Sequence, residues 1–365
     1  MTAPKANRLL IDAEEFKADV EARIASATRR IYVQAMTFEM DSAGKWLLEL
    51  LRNSSAKEKI LSIDAYSLFN INDGWVYGKR YWTSSSYKQE VDETRQLLKS
   101  GAIDDVKIHI TNRMGWRLDK FPARNHKKLL IVDDVAYVGG LNFSEHNFAW
   151  HDLMAIVDNP ALVDDLSADF KSTQAGINQS ARNVLGGEQL YYLDGRNSKE
   201  VYEELFREIC EAKRSVQIIS PYVSDPLLSR LMSLESKIKI QIITPADNNK
   251  SIMKHYLMDK TRELPWEIYQ YQPGMSHSKA ILIDGEKLII GSSNFDFVSY
   301  HLEQEVVWVS TDVALIDEFK QRVWDVDMAK SSSDFVRNKK HYAARIIIFV
   351  VGGLMRFLGT LQSRT

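Results

Sequence analysis

The sequence contains two copies of one pattern that places a histidine two residues before a lysine. Each copy continues with an aspartate five residues after the lysine and with an asparagine after a glycine-containing turn. Two such copies in one chain predict a composite site to which each half contributes equivalent groups. The members are His126, Lys128, Asp133 and Asn142 in the first copy and His277, Lys279, Asp284 and Asn294 in the second.

The spacing within each copy decides which side chains can act together. Side chains alternate along a strand, so the histidine and the lysine of one copy face the same side. Asp133 and Asp284 then face the opposite side and are expected to be structural anchors unless the strand bends. The glycines would let the backbone pass close to a ligand, and the asparagine amide could donate a hydrogen bond to that ligand.

If the two copies face each other, the site holds two imidazoles, two ammonium groups and two amides, which suits a phosphodiester. One histidine would attack phosphorus while the other protonates the leaving alcohol, and the roles would reverse in a second step. The lysines and asparagines would stabilise the charge on the phosphoryl oxygens. This chemistry predicts neither a metal ion nor a cofactor. A lone His-x-Lys is more often a solvated strand edge, but two matched copies argue against that interpretation.

The duplicated H-x-K-x4-D motif with its trailing G-S-x-N resembles the signature of the phospholipase D superfamily. Within it, the resemblance is closest to bacterial cardiolipin synthases and extends over residues 9–327. It implies an α/β fold of two pseudo-twofold-related phospholipase D-like domains with helices flanking mixed sheets. It also implies transphosphatidylation through a phosphohistidine, with His126 as nucleophile and His277 as acid. The supporting residues are Trp150, Asp152, Pro221, Tyr222, Phe295, Asp296, Ser299 and Glu305.

The sequence departs from the family pattern at three places, of which the two substitutions, at positions 298 and 303, leave the donor headgroup and the acceptor open. Five residues rather than six separate Asp133 from Gly139, Val298 stands where arginine is usual, and Glu303 stands where asparagine is usual. The acceptor is therefore a lipid alcohol or water.

Two carboxylates that follow the motifs are candidates to orient the histidines. A carboxylate that accepts a hydrogen bond from a catalytic imidazole fixes its tautomer and stabilises its charged form. Asp152 and Glu305 each precede an apolar run that reads as a core strand. We expect Asp152 to serve His126 and Glu305 to serve His277. The alternative is that each is a surface charge.

The composition is that of a globular protein without a basic field. The 365 residues are 45% hydrophobic and 26% charged, with a formal net charge of −2. A nuclease of the same superfamily is the alternative function, and the charge balance and the missing basic stripe weigh against nucleic acid as a partner. A non-catalytic membrane scaffold is a third reading, disfavoured because both motifs are complete. The N-terminal residues show no secretory pattern, so we expect a cytoplasmic protein, peripheral on the cytoplasmic face of the cell membrane.

Helical and strand periodicities repeat between the halves and give the domain boundaries. We expect a first domain at 1–175, a linker at 176–190, a second domain at 191–330 and a tail at 331–365. The first half carries an insertion at about 66–101 that is rich in aromatic and basic residues. It would form a substrate-facing lid or a membrane interface, or else a loop packed on its own domain.

The tail combines basic residues with a short apolar run at 346–355. Ten helical residues rise about 15 Å, half of a bilayer core, so the run cannot span a membrane alone. A monotopic anchor on an anionic membrane surface is the first interpretation, and a terminal element docked on the core is the second. The expected partners are thus a glycerophospholipid substrate and, through the tail, a membrane surface.

Overall fold

A computed structural model of the chain describes residues 7–113, 123–234, 237–333 and 342–362. The first six residues of the predicted N-terminal domain lie outside the described residues. Part of the predicted basic tail does so too, including Arg337, Lys339 and Lys340.

The first half of the chain builds a mixed eight-stranded sheet, with a small hairpin beside it. Its strands are β1 (Arg8–Ile11), β2 (Arg30–Ala35), β3 (Glu58–Asp64), β4 (Asn70–Ile71), β5 (Gly74–Trp75), β6 (Ala102–Ile103), β7 (Val106–Thr111), β8 (Arg124–Asn125), β9 (Leu129–Val132), β10 (Val135–Gly139) and β11 (Leu153–Val157). The sheet order is β1-β11-β10-β9-β2-β3-β7-β6, and β4 pairs with β5 alone. Strands β2, β3 and β7 run parallel, and β9, β10 and β11 form an antiparallel meander.

The second half repeats this arrangement in a ten-stranded sheet. Its strands are β12 (Ala181–Leu185), β13 (Glu188–Asp194), β14 (Ser215–Ile219), β15 (Lys239–Pro245), β16 (Glu267–Tyr271), β17 (Ala280–Ile283), β18 (Lys287–Gly291), β19 (Glu303–Ser310) and β20 (Ser331–Ser332). The order is β12-β13-β19-β18-β17-β14-β15-β16-β20, and β8 of the first half joins this sheet by pairing with β19. Three parallel strands followed by a meander recur, as an internal duplication predicts.

The helices flank these sheets. They are α1 (Asp12–Ser26), α2 (Ser42–Asn53), α3 (Lys79–Thr83), α4 (Ser85–Ser100), α5 (Glu145–Phe148), α6 (Pro160–Gln174), α7 (Lys199–Cys210), α8 (Leu227–Leu231), α9 (Ser251–Lys260), α10 (Phe297–His301), α11 (Val313–Glu318), α12 (Asp325–Ala329) and α13 (Tyr342–Gln362). The four-residue spacing of Phe16, Val20 and Ile24 predicts the buried face of α1, and all three are buried there. Asp41 caps α2 by accepting hydrogen bonds from Ala43 N and Gly44 N.

Alternation along the central strands divides the core into an outer and a shared part. On β9, Leu129 and Ile131 join a central hydrophobic cluster, whereas Leu130 and Val132 pack into the outer cluster of the first half. On β17, Leu282 enters the same central cluster. Both sheets therefore bury one face in a common core, and this core fixes the two halves against each other.

Two predicted segments have more structure than the sequence indicated. The proposed linker at 176–190 contains β12 and the start of β13, because these residues extend the second sheet at its edge. The proposed insertion at 66–101 contains a hairpin, α3 and α4, with a small hydrophobic cluster of its own. Helix α4 lies between β3 and β7 in the chain, as α9 lies between β15 and β16 in the second half. Trp82 of this segment is 72% exposed.

The tail forms helix α13, which packs on the second half with one side and exposes the other side. Ala344 and Ile348 are buried in the outer cluster of the second half, where Val351 packs beside them. The opposite side carries Phe349, which is 81% exposed, and Ile346. No helix in the described ranges combines the length and the apolar character needed to cross a bilayer.

Candidate active site

Backbone pairing between the halves positions each motif histidine where the two halves meet. Strand β8 runs parallel to the start of β19, and His126 N donates a hydrogen bond of 2.9 Å to Gln304 O. In the second half an isolated bridge joins His151 to Ser276, and His277 N donates to His151 O at 2.7 Å. Each histidine is thus placed by main-chain groups of the opposite half.

Both motif histidines and both motif asparagines line a single cavity of about 130 Å³. Asn142 Oδ1 accepts a hydrogen bond of 3.4 Å from Thr37 N, and this contact orients the side-chain amide of Asn142. Asn294 Oδ1 is buried and has no hydrogen-bond partner among the described residues. The cavity therefore holds two imidazoles together with polar groups that a ligand could satisfy.

The carboxylates orient the histidines in an exchanged arrangement, and the predicted pairing is wrong. Asp152 Oδ2 accepts a hydrogen bond of 2.7 Å from Nδ1 of His277, not of His126. Glu305 Oε1 accepts one of 2.9 Å from Nδ1 of His126, not of His277. The reason is the backbone pairing between the halves, which lays the segment before each histidine along the segment before the other half's carboxylate. With Nδ1 engaged, Nε2 is the ring nitrogen left for a substrate.

Small residues after the returning strands make room for these carboxylates rather than for a ligand. A Cβ on Gly140 would lie 2.2 Å from Asp152 Oδ1, and one on Gly139 would lie 2.2 Å from Leu153 O. The expectation that these glycines bring the backbone close to a ligand is therefore wrong, because Gly139 lies against β11 and Gly140 lies against the Asp152 side chain. At the equivalent of Gly140, Ser292 donates to Glu305 Oε2 at 2.5 Å.

Glu305 is also held by Ser299, whose hydroxyl donates to Oε1 at 2.7 Å. Its two oxygens thus accept from two hydroxyls and one imidazole in a fully buried place. Such a network restricts the carboxylate, and through it the His126 ring, to one orientation.

The two motif lysines are buried behind the histidines, each 1% exposed. Lys128 Nζ donates to His126 O at 2.8 Å, and Lys279 Nζ donates to His277 O. Burial lowers the pKa of Lys128 to about 7 and that of Lys279 to about 8, although nearby carboxylates oppose the shift. Both ammonium groups therefore lose their charge at a lower pH than an exposed lysine would.

Burial also governs the ionisation of the histidines and their partners. It lowers the pKa of His277 to about 3, with Lys279 adding to the shift, and it lowers the pKa of His126 well below its usual value. Burial raises the pKa of Glu305. Burial acts in the same direction on Asp152, but the charge of Lys279 and the hydrogen bonds from His277 and from Leu153 N outweigh it, so the pKa of Asp152 is lowered. Both rings are therefore neutral at pH 7, as a nitrogen nucleophile requires.

Asp133 and Asp284 lie outside this cavity and fasten the strand ends. Asp133 accepts hydrogen bonds of 2.9–3.0 Å from the N–H groups of Thr28, Arg29 and Arg30. Asp284 accepts three equivalent bonds of 2.7–2.8 Å from the N–H groups of residues 213–215. The geometry corresponds to the anchoring expected from alternation and places neither group where it could touch a ligand in the cavity.

Asn249 and Lys250 also line the cavity, and no motif in the sequence indicated that they are functional. Lys250 Nζ lies 4.4 Å from the ring centroid of Tyr222, and both line the cavity. Lys250 and Asn249 belong to the loop after the parallel strand β15. Ligands bind beyond the carboxyl ends of parallel strands, so loop position was the signal that could have found them.

Glu303 adds a further carboxyl group at the cavity. Its Oε2 lies 3.7 Å from His126 Nδ1 and accepts from Ser299 Oγ at 3.2 Å. With His126 and Glu305 it forms a set whose potential ligand atoms lie within 4.8 Å of one another. A cation there would compete with the ammonium groups of Lys128 and Lys279, whose charges already act on Glu305. We therefore assign no metal to this cavity.

Comparisons with known proteins place the two halves in one family. The sequence profile of the family described as "Cardiolipin synthase, PLD-like domain" matches residues 20–174 and 205–326, more than half of the chain. A cardiolipin synthase of Alkalihalophilus pseudofirmus is 27% identical over 328 residues, which are 82% of this chain and 61% of that protein. A probable cardiolipin synthase of Bacillus subtilis is 22% identical over 349 residues, 89% of this chain and 66% of that protein. The chain thus spans less than two thirds of the length of these relatives.

Two solved structures share the fold. The phosphatidylserine synthase of Haemophilus influenzae has a TM-score of 0.69 at 12% identity and covers 97% of this chain and 94% of its own. The polyphosphate kinase of Porphyromonas gingivalis has a TM-score of 0.59 at 12% identity and covers 96% of this chain and 56% of its own. Together with the family match, these comparisons confirm the predicted arrangement of two repeated α/β domains with flanking helices.

Proposed function

Because the chain belongs to the cardiolipin synthase, phospholipase D-like domain family, we propose that it transfers phosphatidyl groups between alcohols. Its substrates are glycerophospholipids, and the reaction runs through a phosphohistidine without a metal ion or a cofactor. One observation carries the proposal: His126 and His277 line the same cavity, and each has its Nδ1 occupied by a buried carboxylate.

In the first step, Nε2 of His126 attacks the phosphorus of the donor phosphodiester. A P–N bond forms and the P–O bond to the leaving alcohol breaks, while His277 supplies the proton that this oxygen takes up. The choice of His126 as nucleophile rests on the resemblance of its motif to the family pattern. Glu305 stabilises the positive charge that develops on the His126 ring, since it accepts from Nδ1.

In the second step, His277 takes the proton of the acceptor hydroxyl as its oxygen attacks phosphorus. The P–N bond breaks and His126 returns to its neutral form. A lipid alcohol as acceptor gives a new phosphodiester, whereas water gives phosphatidic acid. Asn294 Oδ1, which is buried without a partner among the described residues, could accept a hydrogen bond from a substrate O–H group other than the one that gives its proton to His277.

Lys250 lines the cavity together with four carboxyl groups, and Lys128 and Lys279 lie behind the histidines, so a bound phosphodiester would have cations close to it. Lys128 and Lys279 are close enough to both histidines to influence their ionisation. A bound phosphodiester adds a negative charge next to His277, which raises the pKa of that ring and so allows it to carry the proton for the leaving group. The substrate thereby prepares its own acid catalyst.

We propose further that the protein works at a membrane surface, on the cytoplasmic face of the cell membrane. The apolar side of helix α13 is the part that would enter the headgroup region, because its residues are exposed on a helix whose other side is docked. The exposed side includes Ile346, Ile347, Phe349, Val350, Leu354 and Phe357.

The test is product analysis from vesicles that contain phosphatidylglycerol and phosphatidylethanolamine. The purified chain should convert phosphatidylglycerol to cardiolipin, phosphatidic acid or both, as measured by mass spectrometry, and His126→Ala should give neither product. Incubation with single-stranded and duplex DNA, followed on a gel, should show no cleavage. DNA cleavage without any lipid product would overturn the proposal in favour of a nuclease.

A further inference from the structure

Three carboxyl groups converge where the 66–101 segment meets the first domain. Glu39 and Asp41 belong to the loop between β2 and α2, and Glu90 belongs to α4. One oxygen from each lies within 4.8 Å of the other two. Of the three, only Glu39 also lines the histidine cavity, and none takes part in the reaction proposed above.

Glu39 is the member whose environment is incomplete. It is 2% exposed, and its Oε1 accepts a hydrogen bond of 2.9 Å from Asn72 N. Its Oε2 is buried and accepts no hydrogen bond from a donor group among the described residues, and the side-chain neighbour within hydrogen-bonding reach of this side chain is the carboxyl group of Glu90. His146 Nδ1 lies 3.7 Å away, beyond hydrogen-bonding distance. A buried carboxylate oxygen without a donor is unfavourable, so the position calls for a proton or a cation.

The other two carboxyl groups are held in place around Glu39. Asp41 accepts from Ala43 N at 2.9 Å and Gly44 N at 3.1 Å through one oxygen, and from Glu145 N at 2.5 Å through the other. Glu90 is drawn towards Glu39 because Thr94, one turn later on α4, accepts a hydrogen bond of 2.8 Å from Met40 N. These contacts fix the spacing of the three groups without neutralising them.

Neutralisation by a neighbouring side chain is incomplete. The Arg80 guanidinium lies close enough to act on Glu90, but it stacks 4.4 Å above the Tyr87 ring. Burial raises the pKa of Glu39 to about 8, and the charges of Asp41 and Glu90 add to that shift. Without a cation, Glu39 would therefore hold a proton at neutral pH.

We propose that Glu39, Asp41 and Glu90 bind a hard divalent cation, Ca²⁺ or Mg²⁺, that joins α4 to the first domain. Carboxylate oxygens are the ligands that both ions prefer, and the remaining positions would be filled by water. The ion would be structural, since it lies outside the histidine pair.

Binding would stiffen one wall of the catalytic cavity. Glu39 and Asp73, which follows Asn72 in the hairpin turn, both line that cavity. Glu39 N also donates to Phe143 O at 3.0 Å, next to the motif residue Asn142. An ion at this place would therefore link the 66–101 segment to the backbone that carries the first motif.

Thermal unfolding of the full chain tests the site without any turnover. The protein is freed of metal with a chelator, and Tm is then measured with increasing CaCl₂ or MgCl₂. One or both ions should raise Tm by roughly 3–5 °C when in large excess over the dissociation constant. Calorimetric titration of the same protein should give a single bound ion.

Glu90→Gln should abolish the rise in Tm, and because Glu90 is partly exposed this variant should still fold. Glu93→Gln is the matched control, since Glu93 lies on the same helix and pairs with Lys45 at the surface. No rise in the unmodified protein with either ion would overturn the proposal, leaving a proton on Glu39 as the occupant. An equal rise in Glu90→Gln would overturn it too. Failure of the proposed transferase activity would leave these measurements unaffected.

Discussion

The carboxylate of Asp152, which follows the first motif, is hydrogen bonded at 2.7 Å to His277, which opens the second motif. Glu305 of the second half holds His126 of the first half in the same way. Neither half therefore contains a complete histidine–carboxylate pair, so the site exists only when both halves are folded against each other.

The exchange predicts that Asp152→Asn impairs the step in which His277 acts. Transfer from a lipid with an alkyl alcohol as leaving group should slow by about 10²–10⁴-fold, because His277 loses the partner that stabilises its charged form. The first-turnover burst of nitrophenolate from a nitrophenyl phosphodiester should slow much less, since that leaving group needs no proton. First-turnover rates on the two substrates, measured by rapid mixing with enzyme in excess, give the difference.

The matched variant Glu305→Gln should slow both substrates, because it acts on the nucleophile His126. Asp317→Asn, a change in an exposed carboxylate that faces Lys320, should slow neither. Equal losses on both substrates in Asp152→Asn would mean that Asp152 acts through His126 after all.

A covalent intermediate should accumulate in His277→Asn. With the nitrophenyl diester, the first step can proceed without an acid, but the second lacks its base, so the phosphohistidine is trapped. Intact-protein mass spectrometry should show the added phosphatidyl mass, and the mass should be absent when His126→Ala is combined with His277→Asn. His109→Ala, a histidine that does not line the cavity, serves as the control. If the adduct formed in the variant that lacks His126, another residue would be the nucleophile.

The buried lysines predict a loss of kcat/KM as pH rises. Burial lowers the pKa of Lys128 to about 7 and that of Lys279 to about 8. In the proposed mechanism the charged forms of these lysines would stabilise the phosphoryl oxygens. Activity should therefore be retained below pH 7 and decline as pH rises through 7 and 8. In Lys128→Arg the side chain stays charged, so the decline that remains should begin nearer pH 8. A rate that keeps rising from pH 7 to 9 would contradict this assignment.

The exposed face of α13 predicts a variant that separates membrane binding from chemistry. Phe349→Asp should weaken binding to anionic vesicles by roughly 10-fold or more, because a fully inserted aromatic side chain contributes about 1.5–3 kcal/mol. The rate on a soluble diester should not change, since Phe349 lies outside the histidine cavity. Vesicle sedimentation measures the binding, and Val313→Asp, at an exposed apolar residue on α11, is the control. If both variants bound vesicles equally well, α13 would not be the membrane anchor.

Asp133 should behave as a structural residue. Asp133→Asn keeps the backbone conformation at a positive φ but weakens the hydrogen bonds from three N–H groups, so the free energy of unfolding should fall by about 1–3 kcal/mol. Urea denaturation measures this loss, with Asp134→Asn as the neighbouring exposed control. At a temperature where the variant is folded, kcat on the soluble diester should be unchanged. A large loss of kcat would make Asp133 a catalytic group.

The sequence by itself determined which motif residues share a face and that the site has a twofold plan. Spacing alone put the histidine and lysine of each motif together and sent Asp133 and Asp284 to the other side, because alternation along a strand is a local property. The repeated periodicities likewise gave the duplicated α/β fold, and helix α1 follows from the spacing of three apolar residues.

Only the tertiary structure decided which carboxylate serves which histidine. The pairing of Asp152 with His277 depends on contacts between segments more than a hundred residues apart, where β8 joins β19 and His151 meets Ser276. Three other features also depend on tertiary contacts. They are the role of Gly140, the helix α4 within the predicted insertion and the docked side of α13. In each case the observed arrangement depends on which surfaces of the chain are buried against each other. Local sequence patterns do not predict that packing.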